Sequence, residues 1–236
     1  MCTVICRWDP HADFPVTALA LRDERRSRDF DLPGEWWADQ PGVIGGRDRR
    51  AGGSWCVSDT ATGTTAIVLN RPERRDAEPG AASRGVLPLL ALAYLEAWPE
   101  HIELTGMASF NLVLARPDAL RWWSFDGERL DAHSLATGTY LFKPSGLFKP
   151  SGLFKPSGRR PAGGLADSTS DAWLAALRAA SPTEDGAGLL VRRQLDDGDS
   201  YETVFGQLVA CRPGELRIDY LVDPAARGDW TSRRWV

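Results

Sequence analysis

The sequence predicts an α+β fold, a sandwich of mostly antiparallel sheets with helices outside. Short runs rich in β-branched and thiol side chains recur near both ends, and two Leu- and Ala-rich segments read as helices. Their order of strands, helix, strands, helix, strands is that of an α+β chain. At 236 residues it suits one domain, 1–236, long enough to bury a two-sheet core.

Cys2–Arg7 is the first strand and Ala18–Leu21 the second, with Asp9-Pro10 and Phe14-Pro15 punctuating the loop between them. A hairpin centred near Ala12 and Asp13 sets Cys2 opposite Asp23, and a slip of one residue sets it opposite Arg22. Gly45-Gly46 and Gly52-Gly53 read as turns. Ser54–Ser58 and Thr64–Leu69 form a second antiparallel pair. Val86–Ala97 is helical, with Pro88 allowed only in the first turn and Pro99 closing the segment. Asn111–Ala115 and Leu120–Phe125 return to strand, followed by the turn Phe125-Asp126-Gly127-Glu128. Asp171–Ala180 is an amphipathic helix that Ser168 or Ser170 can cap. Thr203–Cys211 and Leu216–Leu221 make a last hairpin about Pro213-Gly214.

Residues 141–158 repeat L-F-K-P-S-G three times without a difference. Solenoid units run to roughly twenty residues or more, so these short copies with Pro and Gly read as successive turns of a loop insertion. Lys143, Lys149 and Lys155 are the only lysines in the chain, which points to recent duplication of one hexapeptide. Two roles stay open for it, a basic aromatic arm for an anionic ligand and an exposed expansion without a set role.

Composition excludes several classes. A formal charge of -4, from 28 basic and 32 acidic side chains, gives no nucleic-acid footprint. No apolar run is long enough for a transmembrane segment, and the Cys2–Arg7 run is too short and polar for a secretory leader, so a cytoplasmic location is expected. Cys2, Cys6, Cys56 and Cys211 are scattered and expected to be reduced, with Cys6 and Cys56 as packing residues. His11, His101 and His133 lack metal-ligand spacing, and no phosphate-binding glycine loop is present.

The chemistry begins at Cys2. Once Met1 is removed, one residue carries both a thiol nucleophile and an α-amine that titrates near neutrality, the minimal apparatus of an N-terminal-nucleophile (Ntn) hydrolase. A small apolar residue opening a buried strand is the plain structural alternative.

Met1-Cys2-Thr3-Val4-Ile5 and Leu21-Arg22-Asp23-Glu24 resemble the NRDE family, also called the transport-and-Golgi-organisation family, with Leu21 where that family has Asn. Gly52-Gly53-Ser54-Trp55, Leu69-Asn70, Ser83-Arg84-Gly85 and Phe110-Asn111-Leu112 follow in the family's order, so the resemblance covers most of residues 1–140. Beyond Tyr140 it fades. Gly138-Thr139-Tyr140 stays recognisable, the repeats replace the family's Ser-Asn, and Val204 stands after Ser200-Tyr201-Glu202-Thr203 where an arginine is common.

The resemblance implies an Ntn-hydrolase-like αββα sandwich, similar to cysteine acylases that open bile-salt amides and penicillin V. It assigns Cys2 as nucleophile on an amide or thioester, Arg22 as the charge favouring thiolate, and Asp23 as partner of the α-ammonium. Asn70 is the candidate oxyanion donor and Asn111 a second one. Each has another reading: Arg22 and Asp23 as a rim ion pair, Asn70 as a turn opener, Asn111 as a partner for buried backbone. Trp36, Trp37, Trp122 and Trp123 fit either an apolar pocket or half-buried packing.

Two functional classes follow. One is a cysteine amidase or thioesterase for a small acyl substrate, needing no cofactor. The other is a non-catalytic module that binds or traffics haem, acyl-CoA or lipid, since the family is associated with such ligands and a thiolate can ligate haem iron.

Overall fold

The computed structural model describes residues 2–74, 76–148, 168–185, 188–226 and 229–236. The first half runs β1 (Cys2–Trp8), β2 (Val16–Arg25), β3 (Phe30–Gly34), β4 (Val43–Asp48), β5 (Cys56–Asp59), β6 (Thr64–Asn70) and helix α1 (Leu87–Tyr94). Then come β7 (Phe110–Arg116), β8 (Ala119–Phe125), β9 (Leu130–Leu135), β10 (Gly138–Lys143), β11 (Gly146–Phe148) and helix α2 (Ser168–Ala179). The chain ends with β12 (Pro182–Thr183), β13 (Leu190–Gln194), β14 (Ser200–Arg212), β15 (Glu215–Val222) and β16 (Thr231–Trp235).

Two sheets hold these strands. One has the order β3-β4-β5-β6-β7-β8-β9, a meander whose neighbours are all antiparallel. The other runs β11-β10-β1-β2-β14-β13-β12, with β15 joining β14 and β16 joining β15. Period-two alternation sorts the side chains into layers. Val4, Cys6, Ala18, Ala20, Val209 and Cys211 of one sheet meet Ile44, Cys56, Ile67, Leu69 and Val113 of the other. Ile5, Leu19, Leu21 and Leu208 point outward and pack under Trp173 and Leu177 of α2. Ala66, Val68, Leu112 and Leu114 leave the opposite face of the second sheet for Leu87 and Ala91 of α1. The result is the expected αββα sandwich. No helix among the described residues is long and apolar enough to cross a membrane.

The opening hairpin takes the slipped register, with Cys2 directly opposite Arg22 and Trp8 opposite Val16. The final hairpin forms as expected, Arg212 pairing Glu215. Three expectations are corrected. Gly45-Gly46 is not a turn but lies inside β4, where a Cβ on Gly46 would stand 2.4 Å from the Trp55 indole. The α-helix ends at Tyr94: Leu95 takes φ 52 and the chain continues as a 3-10 turn over Leu95–His101, because Pro99 cannot donate an α-helical hydrogen bond. The first hexapeptide copy is not a loop. Its Leu141-Phe142-Lys143 completes β10 against β1, and Gly146–Phe148 folds back on it as β11. Phe142, wholly buried between the sheets, supplies the reason. The rest of the second copy and all of the third, residues 149–158, lie outside the described residues, as do the side chains of Ser168 and Ser170.

The connection between β4 and β5 is tied to the segment that opens α1. Ser54 donates its backbone N–H to the Gly85 carbonyl (2.8 Å), and a Cβ on Gly53 would meet Gly85 backbone at 2.4 Å. Only glycine permits that approach. The Gly53→Ala variant is expected to lose about 1–3 kcal/mol of stability from forced backbone displacement. Urea denaturation checks this, and a loss below about 0.5 kcal/mol, the range of an ordinary surface change, contradicts it.

Candidate active site

The start of β1, the end of β2 and the end of β6 converge on one cavity of about 100 Å³. Cys2, Arg22, Asp23 and Asn70 all line it. Cys2 and Arg22 face each other across the β1–β2 ladder. The Cys2 thiol is pushed up by burial, with Asp23 adding to the rise, while the backbone N–H of Asp23 and the charge of Arg22 pull the other way.

Arg22 is 3 % exposed and crosses from one sheet to the other. Its Nη2 donates to Asp48 Oδ2 (3.3 Å), and its guanidinium stacks over Trp55 (4.7 Å to the ring centroid) and Phe30 (5.1 Å). Its Nη1 is buried with no hydrogen-bond partner among the described residues. Burial lowers its pKa, against the pull of Glu24, Cys2 and Asp48. Asp48 organises this end of the cavity. It accepts from Arg28 Nε (2.7 Å) and from the backbone N–H groups of Arg50 (3.0 Å) and Ala51 (2.9 Å). Burial alone would raise the Asp48 carboxyl, yet Arg28 and those hydrogen bonds hold it below the usual carboxylate range.

Asp23 is 2 % exposed and held from β14. Thr203 Oγ1 donates to its carboxylate (2.7 Å), and the Tyr201 hydroxyl donates to its backbone carbonyl (2.8 Å). Just past Thr203 the β2–β14 register shifts across Val204, a bulge that lets Thr203 reach Asp23 while Phe205 packs against Trp55. Burial pushes the Asp23 carboxyl up to about 6, even with the Thr203 hydroxyl opposing the rise.

Asn70 closes β6, and the chain after it is pinned by wholly buried Ser109. Ser109 Oγ donates to the carbonyls of Arg71 (3.2 Å) and Arg74 (2.9 Å). The Ser109 carbonyl accepts from Arg84 Nη1 (3.0 Å), which sets Arg84 at the same cavity. Asn111 is not brought to it. Its Nδ2 donates to the carbonyls of Lys143 (3.3 Å) and Pro144 (3.5 Å) on the facing sheet, and its Oδ1 accepts from Trp122 Nε1 (3.1 Å). It serves buried polar groups between the sheets. Trp36, Trp37, Trp122 and Trp123 also stay off the cavity lining, where Trp55 stands instead. Cys6, Cys56 and Cys211 are buried in the inter-sheet layer, and burial lifts Cys6 and Cys211 to about 12. No cluster of three or more His, Cys, Asp or Glu among the described residues is arranged to hold a metal ion.

A family model described as Transport and Golgi organisation 2 matches residues 1–143. The chain belongs to this family. Every residue named above as lining the cavity falls inside the family match, whereas Thr203 and Tyr201, which hold Asp23, fall outside it. Among solved structures the Transport and Golgi organisation 2 chain is similar to the C2A mutant of conjugated bile acid hydrolase from Clostridium perfringens, with a TM-score of 0.53 and 11% identity over 99% of this chain and 92% of that one. That likeness carries the fold, an Ntn-hydrolase-like sandwich. A search of curated proteins gives no match.

Sequence motifs brought Cys2, Arg22, Asp23 and Asn70 to light but passed over Asp48, whose Asp-Arg-Arg setting looks like an ordinary polar turn, and named Thr203 in a family-like run without a role. Arg84 stood in a family motif with no role attached.

Asp23 gives a pH test. Its native carboxyl titrates near 6, above the ordinary 3.8, so the native state holds the proton more tightly than the unfolded chain. That contribution is complete below about pH 4 and is lost as pH rises through about 6. Asp23→Asn removes the titration, so its stability relative to wild type is expected to climb by about 2 kcal/mol between pH 4 and pH 7. Urea unfolding at the two pH values reads it out, and a pH-independent difference would show that Asp23 is not held near 6.

Proposed function

We propose that this chain is an N-terminal cysteine hydrolase for small amides or thioesters. The observation that carries the proposal is the convergence of Cys2, Arg22, Asp23 and Asn70 on one cavity. The name of its structural neighbour, a hydrolase crystallised as a C2A mutant, supports the choice of nucleophile.

Removal of Met1 gives Cys2 a free α-amine beside its own thiol. The amine accepts the thiol proton, and Sγ attacks the acyl carbonyl, forming a C–S bond while the carbonyl π electrons move to oxygen. The Asn70 carboxamide donates to that oxyanion. Its collapse breaks the C–N or C–S bond to the leaving group, which takes the proton back from the α-ammonium. Water, deprotonated by the same amine, then attacks the acyl-thioester, releases the acid and restores the thiol. Asp23 holds the ammonium form, and Arg22 together with the Asp23 backbone N–H favours the thiolate form, opposing the burial that raises the thiol. A cavity of about 100 Å³ is below the roughly 300–1,000 Å³ of pockets for drug-sized ligands, which favours a small acyl group over haem or acyl-CoA.

Intact mass is expected to show the chain without Met1, and a retained methionine, which blocks the α-amine, rules the mechanism out. Against a panel of small amides and thioesters, Cys2→Ala is expected to abolish turnover. Asn70→Ala is expected to lower kcat on the order of a hundredfold or more. Turnover that survives Cys2→Ala refutes the assignment of the nucleophile.

A further inference from the structure

We infer that the Cys2 cavity takes small acyl groups bearing a carboxylate, and that Arg84 is the side chain that pairs with it. The inference deepens the hydrolase reading by naming its substrate class, while the binding event itself does not require catalysis.

Three guanidinium groups line this cavity, and they are not equally served. Arg22 and Arg28 share Asp48, at 3.3 Å and 2.7 Å, with Glu24 at 4.0 Å and 3.9 Å from the same two side chains. Arg84 has no carboxylate within ion-pair distance among the described residues. Its one hydrogen bond goes to a neutral acceptor, the Ser109 carbonyl at 3.0 Å. Burial lowers its pKa, and the charge of ionised Cys2, then Glu24 and Asp76, oppose that, none of them within ion-pair distance among the described residues. A half-buried guanidinium that keeps its charge without a partner is costly unless a ligand supplies the anion.

A second guanidinium in the same cavity is also short of acceptors. Arg22 Nη1 is wholly buried and unpartnered, although the rest of that group is engaged by Asp48, Trp55 and Phe30. Every carboxylate of the lining is already engaged: Asp48 and Glu24 serve Arg22 and Arg28, and Asp23 accepts from the Thr203 hydroxyl, so none of the three lies within ion-pair distance of Arg84 among the described residues. A carboxylate ligand supplies acceptors to a planar donor fork built for that geometry. The two arginines come from different parts of the fold, Arg22 from β2 and Arg84 from the turn before α1, and both line the cavity that holds Cys2. A short acid can therefore reach Arg84 while its scissile carbonyl lies at Cys2.

The test uses the full-length protein, glutarate as the probe and neutral glutaramide as its control. Isothermal titration calorimetry is expected to show saturable glutarate binding to wild type and to Cys2→Ala, with glutaramide weaker. Arg84→Gln is expected to lose at least about tenfold in glutarate affinity, the scale of one charge-assisted hydrogen bond, and Arg84→Lys to recover part of it. In turnover assays with the monoamide of glutaric acid, Arg84→Gln raises KM more than it lowers kcat and shrinks the preference for that monoamide over an uncharged amide. If Arg84→Gln does not fold, Arg84→Lys and the glutarate-against-glutaramide comparison decide the question. Absent glutarate binding, equal binding of the two probes, or affinity indifferent to Arg84 overturns the inference. Arg84-dependent binding without turnover keeps the carboxylate site and overturns only the hydrolase reading.

Discussion

The Arg22–Asp48 pair, 3.3 Å across the gap between the sheets, is the constraint on which the rest of the site depends. A guanidinium carried into a core must bring a counter-charge with it, and here the counter-charge belongs to the other sheet. That requirement fixes how the end of β2 sits over the end of β4. It also explains Trp55 and Phe30, whose rings cover the guanidinium and so let a charge lie in an apolar layer. Because Cys2 is paired directly with Arg22, placing Arg22 places the thiol. Removing Asp48 would leave the buried charge with only the more distant Glu24, at 4.0 Å, so the pair is a device of position more than a source of net stability.

How much of this was legible depends on the distance over which each signal acts. The β1–β2 hairpin could be read because its pairing is local, but its register could not, since pattern alone does not separate a loop centred between Ala12 and Asp13 from one centred on Ala12. Gly45-Gly46 misled because glycine serves turns and close packing alike, and the indole that excludes a side chain there comes from the next strand. The first hexapeptide copy was hidden by its own periodicity. Pro144-Ser145 does make a turn, but the residues on either side of it are strand, and only the burial of Phe142 against β1 distinguishes the two. The roles of Asp48 and Thr203 were invisible for a related reason, since each acquires its role from a partner more than twenty or more than one hundred residues away. Family motifs reached Cys2, Arg22, Asp23 and Asn70 because these lie on strand ends gathered within the first half of the chain.

The same burial that assembles the site works against its ionised forms. Cys2 and Asp23 are both shifted toward their neutral states by desolvation, and the fold answers with directed contacts, the Thr203 hydroxyl and the Asp23 N–H among them. Ionised Asp23 lowers stability at neutral pH, where an asparagine would sit more comfortably, and its retention is easier to understand as chemistry than as packing. Cys6, Cys56 and Cys211 form the contrast. They are equally buried, but burial is their main influence, and they remain inert thiols in the apolar layer.

Under the hydrolase reading, the two charged neighbours of Cys2 act on one proton from opposite sides. Moving that proton from sulfur to the α-amine creates a thiolate and an ammonium. Water would stabilise both, and a cavity of about 100 Å³ holds little of it. Arg22 stabilises the first product and Asp23 the second, so the pair replaces solvent with fixed charges that need no reorganisation during reaction. A carboxylate on Arg84 then completes the account. It supplies the anion that the carboxylates of the lining, engaged elsewhere, do not give Arg84, and leaves the field of Arg22 directed at sulfur. Binding the acid end of a substrate and poising the nucleophile thereby become parts of the same electrostatic balance, with Arg84 governing the first and Arg22 the second.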